Sequence, residues 1–242
     1  MRNFVKQFLA TSKYPNSKLL FTKNVAKYHR SGPRVFDANK VTPNLIYLHN
    51  PWQYMKTKLQ FYRLYFQWDK NFREKEFIRG SKMAVCLMTD LIRNQNALDL
   101  SIYTTSIGLK QIGRDMSLSR NDPRLPLIKF REEDIKRAVP LKATFTTKRM
   151  GKHCLVDMIF VAMRNVKDFE NPMEAKEYNS HLNKYDNVYR IVHDYNLAPH
   201  RIAFAEIFMR LYRDYSLLPL EDWSISFYKV TSFDILNYRP PK

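Results

Sequence analysis

The chain has 242 residues, enough for one ordinary domain with extensions, and 45% apolar with 14% aromatic residues is enough to build a core, which excludes wholesale disorder. Five glycines leave little material for a glycine-rich phosphate loop, and two cysteines cannot make a disulfide framework. The formal charge of +18 is unevenly spread: residues 1–68 hold twelve Lys/Arg against one acid, Asp37, a net +11, and residues 69–242 supply the remaining +7.

The first 36 residues carry eight Lys/Arg and no acid. Phe4, Val5, Phe8 and Leu9 fall on one helical face, with Arg2, Lys6 and Lys13 elsewhere. An amphipathic, basic, acid-poor start is the composition of a mitochondrial transit peptide, and the membrane potential favours moving such charge inward. The alternative is a basic tail for RNA or anionic lipid. Residues 37–50, with Pro43, read as a linker.

Asn50-Pro51 predicts a helix start, Asn as cap and Pro in the first turn. To about Trp68 the chain supplies seven aromatics, Trp52, Tyr54, Phe61, Tyr62, Tyr65, Phe66 and Trp68, and no acid occurs from residue 38 to 68. One face of this helix is expected to pack on the domain and its basic face to meet an anionic membrane or a partner protein. The candidate contacts are Trp52, Tyr54, Lys56, Lys58 and Arg63, since aromatics and arginine are the usual interface anchors. A second helix is predicted from Arg73 to Arg93, with Gly80-Ser81 permitting close packing, and a third from Asp99 to Arg114. Residues 115–130, with Pro123 and Pro126, read as loop. Glu132-Glu133-Asp134, followed by Lys136-Arg137, reads as a solvated charged turn.

The periodicity then shortens. Strands are expected over Ile135–Thr147, His153–Arg164, Ile202–Tyr215 and Trp223–Val230. Residues 166–199 read as a long insertion with a short helix around 173–183. Helices followed by antiparallel strands give an α+β class, a single domain over 51–242 with N-terminal helices on a curved sheet.

No catalytic, cofactor or metal residues are assigned. None of the six histidines has metal-pair spacing, and His153 and Cys154, adjacent on a strand, point to opposite faces. Cys86 and Cys154 read as buried thiols. No stretch of eighteen or more residues is apolar and free of charge, so no membrane-spanning helix is expected.

Trp68-Asp69-Lys70-Asn71-Phe72, then Phe77, then Gly80-Ser81-Lys82-Met83-Ala84, resembles the first helices of the family built on the membrane-associated domain of the mitochondrial import-motor adaptor. Asn50-Pro51-Trp52 and Asp222-Trp223-Ser224-Ile225 add to the likeness, which covers about 50–92 and 203–230. The resemblance implies a cystatin-like cone in the matrix, peripheral to the inner membrane. It further implies an adaptor or chaperone that binds the m-AAA protease and assists maturation of a small inner-membrane precursor, the regulator of the calcium uniporter. The alternative is a mitochondrial ribosomal large-subunit protein or ribosome anchor, for which the basic core, the basic extension and Pro240-Pro241 suit contact with RNA.

Overall fold

The computed structural model describes residues 51–148, 151–169, 171–189, 200–216 and 222–238. The transit-like segment, the linker, His29, His49, His193 and Pro240-Pro241 lie outside these residues. The elements run α1 (Pro51–Gln67), α2 (Glu74–Arg93), α3 (Ala97–Tyr103), α4 (Ser106–Leu118), β1 (Ile135–Lys148), β2 (Gly151–Asn165), α5 (Pro172–Tyr189), β3 (His200–Asp214) and β4 (Ser224–Tyr238). Among the described residues four strands form one open antiparallel sheet in chain order, β1-β2-β3-β4, so the class is α+β as expected, with α1 to α4 preceding the sheet.

Alternation along the strands sorts the core. Cys154, Val156, Met158, Phe160 and Ala162 of β2 and Ala205, Ile207, Met209 and Leu211 of β3 share one buried cluster with Phe61 and Leu64 of α1 and Phe77, Val85, Met88 and Leu91 of α2. The opposite face has its own cluster made wholly of strand residues, among them Leu141, Ile159, Val161, Met163, Ile202 and Phe204. On that face Arg210 grips Asp157 with two hydrogen bonds, 2.6 and 3.0 Å. Burial pushes the Cys86 thiol up to about 11 and the Cys154 thiol to about 12. Cys154 is buried as expected; Cys86 is only half-buried.

Helices also close the sheet edges. Beside β1, Thr57 donates to the Leu141 carbonyl at 2.8 Å and Gln60 accepts the Ala143 N–H at 2.9 Å. These side chains replace a missing strand where a register shift between Pro140 and Lys142 interrupts β1. At β4 the Thr105 N–H donates to the Ile225 carbonyl at 3.0 Å, and Gln111 bonds both backbone groups of Tyr228, at 3.2 and 3.5 Å. A Cβ on Gly108 would stand 2.6 Å from the Ile225 oxygen, so glycine there is what lets α4 lie this close to β4.

Several boundaries differ from the sequence reading. The single helix expected over Asp99–Arg114 is two. Thr104 is extended and pairs with Ile225, while the Thr105 side chain caps α4 by accepting the Gly108 N–H at 3.1 Å. A helix that must touch a strand edge is broken there by two β-branched residues suited to extension and capping. The expected loop 115–130 contains the end of α4 and a 3-10 turn at Leu125–Leu127. Gly80 makes no close contact; nothing lies within 4 Å of a Cβ built on it, and the neighbouring Ser81 is the buried small residue.

The helix expected around 173–183 extends over Pro172–Tyr189 and packs Tyr178, Leu182 and Tyr185 against Leu127, Ala203 and Ile235. Beneath it Arg164 is only 1% exposed. Its Nη1 donates to the Lys129 carbonyl at 2.9 Å, its Nε lies 3.8 Å from Asp134, and its guanidinium covers the Phe169 ring at 3.9 Å. This corrects the reading of the acidic run: Asp134 is not solvated but buried against Arg164, and burial raises its carboxyl above the ordinary range. Glu174 of α5 goes the other way. A 2.9 Å hydrogen bond from Lys129, with further help from the Lys129, Arg164 and Arg131 charges, holds its carboxyl below the ordinary range.

A depressed carboxyl stabilises the fold above its unfolded value, about 4.3, and that contribution is lost as pH falls through the lower folded value. Glu174→Gln is therefore expected to lower the melting temperature at pH 7, with the deficit shrinking at a pH below the lowered folded value. A deficit of the same size at both pH values would show that the charge of Glu174 contributes nothing.

Candidate functional site

Helix α1 buries only a narrow stripe, Thr57, Phe61 and Leu64. Its far side is apolar. Trp52, Met55, Leu59, Tyr62 and Phe66 recur at spacings of three and four and are 73%, 56%, 67%, 63% and 69% exposed. At 100° per residue these five lie within a sector opposite the buried stripe, so the helix has two apolar faces back to back. Within the outer face Tyr62 and Phe66 stack, ring centroids 6.5 Å apart, and Tyr65 meets Phe66 edge-on at 5.0 Å. A row of large apolar groups held towards solvent marks an interaction surface.

The expected contact residues sit around this row in different ways. Trp52 opens it. Tyr54, 48% exposed, stands to one side, with the Lys58 ammonium 5.3 Å from its ring. Lys56 and Arg63 flank the other side, and both are exposed. Arg63 lies 5.5 Å from the Phe145 ring and bonds Gln67 at 2.9 Å. Lys58 is half-buried and paired with Glu74 of α2. Burial alone would lower its ammonium pKa, but the Glu74 hydrogen bond and charge outweigh it and the net shift is upward. Lys58 thus ties α1 to α2, whereas Lys56 and Arg63 present charge outward. Where a basic outer face was expected, the outer face is apolar, with Lys56 and Arg63 along one flank. Met55 and Leu59 are absent from the sequence reading, and Tyr62 and Phe66 enter it only as part of the aromatic content and not as contacts, although the three-four spacing of all four is written there.

A second group of exposed apolar residues, Leu98, Ile102 and Ile107, lies on α3 and α4. Because α1 runs along β1 and α4 along β4, the two surfaces sit at opposite edges of the sheet.

Titratable groups converge at one end of β2 and β3. Tyr212 and His153 Nδ1 are 2.8 Å apart, Asp214 lies 3.4 Å from the same nitrogen, and Asp214 accepts the Ser216 N–H at 2.8 Å. That backbone hydrogen bond, chiefly, holds the Asp214 carboxyl below its ordinary range. His153 and Cys154 do point to opposite faces: Cys154 enters the helix-covered core, and His153 joins Tyr212 and Asp214 on the other side. The arrangement holds the imidazole between a tyrosine hydroxyl and a carboxylate. Among the described residues no group of three or more His, Cys, Asp or Glu side chains could hold a metal ion, and no helix is long and apolar enough to cross a membrane.

No family model matches the chain, and no curated protein matches it.

Proposed function

We propose that this chain is a mitochondrial matrix adaptor or chaperone held at the inner-membrane face. It binds the m-AAA protease and assists maturation or sorting of a small inner-membrane precursor such as the calcium uniporter regulator. The observation that carries the membrane part is the outward row Trp52, Met55, Leu59, Tyr62 and Phe66 with Lys56 and Arg63 along one flank. An amphipathic helix with aromatic and aliphatic groups outward and cations at its flanks lies in the headgroup plane of an anionic bilayer. The matrix address rests on the acid-free basic first 36 residues. The protease and precursor rest on the resemblance of Trp68–Phe72, Phe77, Gly80–Ala84 and Asp222–Ile225 to the import-motor adaptor family, and the same reading gives the sheet a cystatin-like curvature. The resemblance supports a role in protein handling, so the reading does not make the chain an enzyme.

Gradient sedimentation of detergent-solubilised mitochondria, with and without RNase, tests this. Co-migration with an inner-membrane protease complex, unchanged by RNase, is the expected result. Migration with the large ribosomal subunit, lost on RNase treatment, would replace the adaptor by the ribosomal alternative that the +11 of residues 1–68 favours.

A further inference from the structure

We propose that residues 41–48, which lie outside the described residues, form a strap across the helix-free face of the sheet and complete its second core. The strap is independent of the adaptor reading and uses a different part of the molecule.

The face away from the helices is covered. Val161 and Ile202 are 0% exposed and Met163 1%, with Ile159 and Phe204 buried beside them. Strand neighbours alone leave one side of an antiparallel sheet in water. Among the described residues no helix lies on this side: α1 to α4 pack with Phe160 and Ile207 on the opposite face, and α5 packs there too, on Ala203 and Ile235. A single copy of the chain buries these residues, so the cover belongs to the chain itself. It is narrow. On the same face Arg137 and Lys142 of β1 and Lys229 and Asp234 of β4 are exposed. Only β2 and β3 are capped, a strip about 10 Å wide, which is the breadth of one chain segment.

The chain that precedes α1 arrives at the rim of this strip. Leu141, the extra residue in the register shift of β1, joins the strip with its side chain and offers its carbonyl to Gln53 and Thr57 at the start of α1, at 3.5 and 2.8 Å. Gln60, further along the helix, meets Ala143. α1 therefore runs in the direction of β1, and the chain before Pro51 comes from the side of Val139, the end of the sheet that holds Val161, Met163 and Ile202. Its composition suits the strip. No Lys, Arg, Asp or Glu occurs from Val41 to Met55, and Val41, Leu45, Ile46, Tyr47 and Leu48 supply five apolar side chains. Residues 1–40 carry nine Lys/Arg, which are costly to bury on an apolar surface. Eight extended residues reach about 26 Å, enough to pass the edge of β1 and lie over β2 and β3. The strap pins the start of α1 to the sheet, and a basic leader removed from this chain must be cut before Val41.

The test is limited proteolysis of the full chain without lipid, with the cut sites read by mass spectrometry and each rate taken relative to the same bond in a peptide of residues 15–50. Chymotrypsin should cut after Phe21 and Phe36 at least roughly tenfold faster than after Tyr47 and Leu48, because cleavage there requires the strap to open. Val161→Thr sets a hydroxyl under the strap and should speed the cuts after Tyr47 and Leu48 about tenfold, leaving those after Phe21 and Phe36 unchanged. Should that variant fail to fold, Ile202→Thr makes the same test at the far end of the strip. Leu45→Asp with Ile46→Asp, measured against its own peptide, should abolish the protection. Cuts after Tyr47 and Leu48 as fast as after Phe36 in the wild-type chain would overturn the strap. So would protection that ignores the threonine variants or survives the paired aspartates: the strip would then be covered by another part of the chain.

Discussion

Asp69→Ala is expected to lower the unfolding free energy by about 3 kcal/mol, near the lower end of what breaking a buried ion pair costs. Asp69 is 6% exposed in the turn between α1 and α2. One oxygen accepts the Asn71 N–H at 3.0 Å and shapes the turn; the other accepts from Arg213 of β3 at 2.9 Å and lies 3.5 Å from the Tyr215 hydroxyl. The Arg213 guanidinium also lies 5.3 Å from the Tyr215 ring and 5.8 Å from that of Trp223. Truncating the carboxylate leaves this half-enclosed cation without a pairing group that joins the helical hairpin to the sheet. Urea unfolding measures the cost as a lowered midpoint with an unchanged slope. Asp69→Asn keeps an acceptor for Asn71 and should lose less. A loss below about 0.5 kcal/mol for the alanine variant would place it with ordinary surface substitutions and deny the pair its docking role.

This pair gives the Trp68–Phe72 stretch a structural role. Trp68 packs on Phe145 and Tyr215 at 5.2 and 5.5 Å, Phe72 on Phe61 and Phe77 at 5.4 and 5.5 Å, and Phe77 on Trp223 at 4.9 Å. The motif residues are therefore the groups that seat α1 and α2 on β1, β3 and the start of β4. They specify how helices seat on the sheet, whereas the α+β class was legible from the order of helical and then strand periodicity, and they say nothing by themselves about a partner.

What sequence patterning missed follows from contacts between elements distant in the chain. The break at Thr104-Thr105 serves Ile225, about 120 residues away in sequence, and no local period announces it. β4 was expected to stop at Val230 because the extra residue Thr231 reverses the alternation; beyond it Phe233 and Ile235 return to the helix side one position out of phase. The Glu132–Asp134 run looked solvated because its partner, Arg164, arrives from another strand. On α1 the candidate list took Trp52 and Tyr54 with three basic residues and passed over the rest of the outer row. Two opposed apolar stripes on one helix give a weak amphipathic signal, and only burial separates the stripe that packs from the stripe that faces out.

That separation makes the two kinds of α1 variant distinguishable on cardiolipin-containing vesicles. Leu59→Ser with Phe66→Ser removes two exposed side chains from the outer row and touches none of Thr57, Phe61 or Leu64, so the fold should survive. If the row enters the headgroup region, losing most of two apolar insertions at about 1.5 kcal/mol each should weaken vesicle binding roughly a hundredfold, at low and high salt alike. Lys56→Glu with Arg63→Glu should also weaken binding, since each cation near an anionic surface contributes about 1 kcal/mol, but that loss should shrink as salt screens the surface. Lys58→Glu belongs to neither class: it sets a glutamate against Glu74 and should appear mainly as reduced thermal stability. Binding that collapses with the charges but ignores Leu59 and Phe66 would mean that α1 only hovers over the lipid, leaving its apolar row for a protein partner. A wild-type chain that does not sediment with vesicles at all would remove the membrane from the proposed function.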